Sequence, residues 1–238
     1  MIEIFLVAAL SFIASAIGTI SGFGTSTIMM PIMMMFYPPL EALLIVSIIH
    51  WFNGVLRSLM FRSGYRFDII VSFGLAGIVA SVLGARLAIN LDQGLWTKVI
   101  AGFLVLYSIY LIINPQFELK FSYSKGTGAG LVSGLLAGLF GMGGAIRGAF
   151  LSAFNLPKEI YLANSALILV FIDSARLSTY LLSGSSLTSL PLYSLAAFLL
   201  ASYLGVKLGK QLVGNIPQYK FRLVIAIMLI VIGLTLFQ

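Results

Sequence analysis

The chain has 238 residues, 60% of them hydrophobic and only 9% charged, more apolar side chain than one soluble core buries and fewer charges than a soluble surface carries. An ordinary soluble domain is excluded. Fourteen Lys and Arg against seven Asp and Glu leave +7, but the polar segments are too short for a basic nucleic-acid-binding domain, so the excess sets orientation in a bilayer.

Twenty-four glycines among many Ile, Leu, Val and Phe suit helices that pack closely in lipid, whereas an outer-membrane barrel would show short alternating strands. The fold class is therefore an all-α integral membrane protein. No cysteine and a single histidine exclude thiol chemistry and leave no His or Cys set for a metal; no cofactor is expected. The first twenty residues lack a basic leader region and read as a retained helix.

Apolar segments follow at 2–20, 25–36, 40–61, 67–90 and 95–113, then at 126–140, 145–155, 159–182, 190–209 and 221–237. The same order of lengths occurs twice. Residues 1–113 form a first repeat, 114–125 a polar cytoplasmic linker and 126–238 a second repeat. At an offset of 119, Gly22 falls on Gly141, Gly24 on Gly143, Pro38 on Pro157 and Arg57 on Arg176.

The second segment of each repeat covers about 17 Å as a helix, too short for a hydrocarbon core of about 30 Å. It either re-enters as a hairpin with the first segment or belongs to one broken span. A hairpin followed by three spans puts nine basic residues (Arg62, Arg66, Lys120, Lys125, Lys158, Lys207, Lys210, Lys220, Arg222) on one side, against Arg86 and Lys98 on the other. One broken span leaves seven against four. The positive-inside rule selects the hairpin, two inverted repeats and termini facing outward.

The breaks lie at Gly22-Phe23-Gly24-Thr25-Ser26 and Gly141-Met142-Gly143-Gly144. Glycine lets a helix stop and restart, which exposes unpaired amides at membrane depth. Such backbone is tolerated where it lines a cavity, and paired discontinuous helices mark transporter substrate sites. Close glycine packing is the plainer alternative. Arg147, three residues after Gly144, has no anion beside it in sequence and calls for one, a snorkelling arginine being the alternative.

Arg57 and Arg176 are matched by the repeat. Asp173, three residues before Arg176, sits on the same helix face and neutralises it. Arg57, only five residues before Arg62, falls toward the cytoplasmic surface. His50, Asn53 and Asn164 are explained by interhelical hydrogen bonds or by the substrate, with His50 the one candidate for a coupling proton. Ser21, Thr25, Ser26 and Thr27 supply hydroxyls around the first break that either cap the helix or bind an oxyanion, capping being the simpler role. Met29, Met30 and Met33 to Met35 read as packing. The chain has no Gly-x-Ser-x-Gly, no P-loop and no paired carboxylates at catalytic spacing, so no enzyme is indicated.

Two glycine breaks, each followed by a short helix, a proline and a longer helix, resemble the TauE/SafE family, the sulfite exporter family. The likeness covers nearly the whole chain and rests on Gly22-Phe23-Gly24 with Pro31 downstream and on Gly141-Met142-Gly143-Gly144. It implies transport of sulfite, sulfoacetate or another small organic anion across a bacterial inner membrane. The family's run of three glycines is here Gly24-Thr25-Ser26 and Gly143-Gly144-Ala145, and Phe150 stands where Pro31 aligns.

The expectation is a secondary transporter with alternating access between two repeats and a small anion as partner, held by Gly22, Gly24, Thr25, Ser26, Gly141, Gly143, Gly144, Arg147, Asn164 and Arg176. His50, Asn53, Arg57 and Asp173 would tune the field or the coupling. A passive anion channel and a non-transporting membrane subunit are the alternatives. Oligomeric state is not encoded in any of these features.

Overall fold

The structure, a computed structural model, describes residues 2–62, 64–88, 102, 105–106, 108–110, 112–114, 118–187 and 190–235. The helices are α1 (Ile2–Ser21), α2 (Thr25–Met33), α3 (Pro39–Met60), α4 (Phe67–Leu87), α5 (Tyr123–Phe140), α6 (Gly143–Ala153), α7 (Lys158–Leu182), α8 (Leu192–Gly214) and α9 (Gln218–Thr235). The segment expected at 95–113 lies mostly outside the described residues. Among the described residues, α1, α3, α4, α7 and α8 are long and apolar enough to cross a membrane. Each rises at 1.5 Å per residue, so 20 residues reach about 30 Å.

Several boundaries differ from the sequence reading for local reasons. The helix α2 stops at Met33 rather than residue 36, because Pro38 and Pro39 disfavour helical backbone just before them. The second break is shorter than expected: Gly143 and Gly144 begin α6 instead of preceding it. Arg147 therefore stands in the second turn of α6. At the other end of its hairpin, α5 starts at Tyr123, with Ser122 accepting the Lys125 amide as a helix cap.

Two short helices fold back on the long helices before them. Along α6, Gly143 lies against Ser133 and Ala137 of α5, and the Ala153 carbonyl accepts the Leu119 amide at 2.7 Å, four residues before α5 starts. Phe121 meets Phe154 edge to face, with centroids 5.4 Å apart. Likewise α2 starts against α1, where Thr25 packs on Gly18, and ends near its beginning, where Tyr37 joins a cluster with Ile4 and Val7. Burial and the Glu3 and Glu41 carboxylates raise the Tyr37 hydroxyl above its ordinary value. Each pair is thus a hairpin that returns to the end it entered from.

Helices α3 and α7 cross antiparallel, His50 and Trp51 facing Asp173 and Ser174, and Gly54 facing Leu169 and Val170. Around this pair, α4 packs parallel to α5 through glycine. A Cβ on Gly130, Gly134 or Gly138 would lie 2.2 Å from the carbonyl oxygen of Phe73, Gly77 or Ser81 respectively. With hydrogen in that place the backbones touch, as small residues permit in lipid. In the reciprocal contact α8 lies along α1, with Gly205 on Phe12 and Gly209 on Ala16.

One end of the bundle gathers the loop 61–66, the linker, the start of α7 and the end of α8. Arg66 lies over the Phe121 ring at 5.7 Å, and Lys158 Nζ donates to the Val213 and Ile216 carbonyls at 3.1 and 2.8 Å. That places a cation at the negative end of α8. Arg62, Arg66, Lys120, Lys125 and Lys158 are all at this end.

Candidate functional site

The two breaks meet. Gly22 and Gly24 take φ of +82° and +101°, and Gly141 takes +70°, left-handed backbone that residues with a side chain rarely adopt. A Cβ on Gly144 would sit 3.7 Å from the Gly24 amide nitrogen and 3.8 Å from Phe23 Cβ, while one on Gly148 would overlap the Phe23 ring. The break glycines also exchange partners: Gly22 lies against Leu162 of α7, and Gly141 against Leu43 of α3. The offset of 119 carries one contact onto the other.

Just beyond Gly24, the first bond of α2 runs from the Ile28 amide to the Gly24 carbonyl at 2.9 Å. The amides of Thr25, Ser26 and Thr27 therefore have no acceptor within the helix. Their hydroxyls do not cap it, contrary to the expectation: α2 has no side-chain cap, and Thr25 Oγ1, Ser26 Oγ and Thr27 Oγ1 are buried without a hydrogen-bond partner. Gly24, in left-handed backbone, occupies the cap position where a Ser or Asp side chain would turn back, so these hydroxyls begin inside the helix.

Three arginines surround this junction, each about 1% exposed. Arg147 Nε donates to Ser165 Oγ at 3.2 Å, and Ser165 in turn donates to the Gly22 carbonyl at 2.7 Å, which ties α6 and α7 to the first break. Arg147 Nη2 lies beside Gly144 and has no partner.

Arg57 is not at the surface, as its nearness to Arg62 suggested. Its Nη1 donates to the Gly18 carbonyl at 2.6 Å, and its Nη2 is left over. Arg176 Nη1 donates to the Ala137 carbonyl at 3.0 Å, and its Nη2 is likewise free. Gly18 and Ala137 belong to the last turns of α1 and α5, where the dipole is negative; the Ala137 carbonyl also accepts the Gly141 amide at 3.0 Å. Each matched arginine therefore caps the helix that leads into a break. The sequence contained the arginines but not these backbone partners.

Asp173 Oδ1 pairs with Arg176 Nε at 2.8 Å, the (i, i+3) contact expected from spacing. Its Oδ2 lies 2.6 Å from His50 Nδ1, a bond between α3 and α7 that no spacing announces. His50 Nε2 has no partner. Asn53 donates to Ser15 Oγ at 2.8 Å and accepts from Ser202, while Ser15 and Ser202 are 3.0 Å apart, so this triangle ties α1, α3 and α8. Asn164 lies toward the loop: Oδ1 accepts the Arg66 amide at 2.9 Å, and Nδ2 donates to the Gly64 and Ile160 carbonyls. The residues brought together at the breaks are thus Gly22, Gly24, Thr25, Ser26, Gly141, Gly143, Gly144 and Arg147, with Arg57, Arg176, Asp173 and His50 behind them. Asn53 and Asn164 join helices and a loop. Ser165 is the addition.

Met29, Met30 and Met33 are buried in the core, while Met35 is exposed. This agrees with compliant packing.

A family model described as Sulfite exporter TauE/SafE matches residues 7–236. The chain belongs to that family. No curated protein matches it closely enough to add a relative. Family and fold together make this a multi-pass membrane protein of a transporter family, with a small-molecule substrate and the bilayer as its partners.

Proposed function

We propose that this protein of the TauE/SafE family is a secondary transporter of a small anion, such as sulfite, an organosulfonate or an organic acid, working in a bacterial inner membrane and exporting its substrate. One observation carries the reading: among the described residues, three buried guanidiniums stand at the junction of two helix breaks with one carboxylate among them, and each keeps an Nη2 without a partner. Burying such an excess of positive charge is costly unless a negative group joins it. Arg147 is the principal counter-charge, and the first-turn amides and hydroxyls of α2 complete the donors.

Alternating access between two inverted repeats, 1–113 and 126–238, is the mechanism we infer, and several observations support it. These are the antiparallel course of α3 and α7, the exchanged contacts of Gly22 and Gly141, and the equivalent bonds of Arg57 and Arg176. A junction made equally by both halves changes access when one half rocks against the other.

The test is counterflow of labelled sulfite and sulfoacetate in proteoliposomes. Wild-type protein should accumulate label against unlabelled anion inside, and Arg147→Ala should lose most of that flux. Electrical conductance without counterflow indicates a channel. Absence of any anion flux in the wild type indicates a non-transporting subunit.

A further inference from the structure

The valence of the anion can be argued from the buried charges. Among the described residues, the nearly sealed charged side chains around the breaks are Arg57, Arg147, Arg176 and Asp173, with His50 and the phenols of Tyr161 and Tyr180 beside them. The other buried acid, Glu41, is in the first turn of α3, about 24 Å of helix away from Arg57. Asp173 neutralises Arg176 through their 2.8 Å contact. It also accepts from His50 Nδ1–H, a bond that the neutral imidazole makes; Arg176 and Arg147 face that ring from α7 and α6.

Among the described residues, Arg57 and Arg147 have no carboxylate in contact; Asp173 acts on both only from its place on Arg176. They come from opposite halves, on α3 and α6, and flank the start of α2: Arg57 bonds the Gly18 carbonyl, where Thr25 packs, and Arg147 Nη2 lies beside Gly144, which faces the Gly24 amide. Arg57 is fixed by Nη1 on the Gly18 carbonyl and Nε on the Asn53 carbonyl, Arg147 by Nε on Ser165, and each keeps Nη2 unpaired. Two like charges anchored this way in a buried junction cannot both be relieved by one negative charge.

We infer that the site selects a dianion, bound between Arg57 and Arg147, over a monoanion of similar size; this rests on the anion-transport reading above. Fully deprotonated sulfite and short chains with two anionic groups satisfy both guanidiniums. The unpartnered hydroxyls of Thr25, Ser26 and Thr27 then serve as neutral donors beside them. A monoanion leaves one buried guanidinium uncompensated.

The experiment is competition against labelled sulfite in wild-type proteoliposomes at fixed pH and clamped potential, with sulfoacetate set against methanesulfonate and malonate against acetate. The dianion of each pair should compete about tenfold more strongly or better, since a second charge at a few ångströms in a partly buried site is worth at least that factor. In a second measurement, Arg57→Gln should narrow the gap within each pair while competition itself persists. Equal competition by monoanions and dianions in the wild type overturns the inference and leaves anion transport standing. Absence of any labelled sulfite flux in the wild type overturns the transport reading, and the inference with it.

Discussion

Buried arginine is tolerated here because every guanidinium has a fixed first partner, and the identity of that partner assigns its role. Asp173 holds His50 and Arg176 at once, 2.6 and 2.8 Å away. Replacing it by Asn removes the one carboxylate of the cluster among the described residues and strands Arg176. Breaking a buried pair from one side costs about 3–5 kcal/mol, so Asp173→Asn should unfold at distinctly lower temperature in detergent than the wild type. Ser165→Ala is milder. It removes the hydroxyl that orients Arg147 and binds the Gly22 carbonyl, an effect of about 1 kcal/mol on folding. Anion flux should fall much more than thermal stability does; equal losses of both would make Ser165 merely structural.

Elements pack here through absence of side chain, and the glycines divide into those that must be glycine and those that need not. A side chain on Gly134 meets the Gly77 carbonyl at 2.2 Å, backbone that cannot turn aside. Gly134→Leu should therefore prise α4 from α5 and abolish folded, monodisperse protein in size-exclusion chromatography. Gly128 is on the same helix with nothing within 4 Å of its Cβ position. Gly128→Ala should leave folding intact and raise stability by up to about 1 kcal/mol, the helix-propensity difference. At the break itself, Gly24→Ala meets the left-handed penalty at φ +101°, about 1–2 kcal/mol. It should reduce flux as well, by reshaping the start of α2.

Across the whole molecule, the proposed inverted repeats require hairpins that enter from opposite ends, with the basic loops on the cytoplasmic side. With no native cysteine, single introduced cysteines can report the sides. Ser124→Cys, beside the start of α5, should react with an impermeant maleimide only after cells are opened. Ser186→Cys, beyond the far end of α7, should react in intact cells. The reverse pattern would contradict the positive-inside assignment and the outward termini.

Composition and glycine placement were enough to specify a helical membrane protein with two interrupted segments, because interruption is a local matter: positive φ at Gly22, Gly24 and Gly141 needs no distant partner. The (i, i+3) contact of Asp173 with Arg176 was legible for the same reason. The tertiary structure alone decided that Arg57 is buried and caps α1, that His50 meets Asp173 across the α3–α7 crossing, and that Thr25, Ser26 and Thr27 keep their hydroxyls unpaired. Those outcomes join residues far apart in the chain, or depend on what fails to approach them. Spacing along a helix encodes only neighbours within a turn or two, so which helix ends a guanidinium reaches, and which donors stay unpaired, is settled by packing.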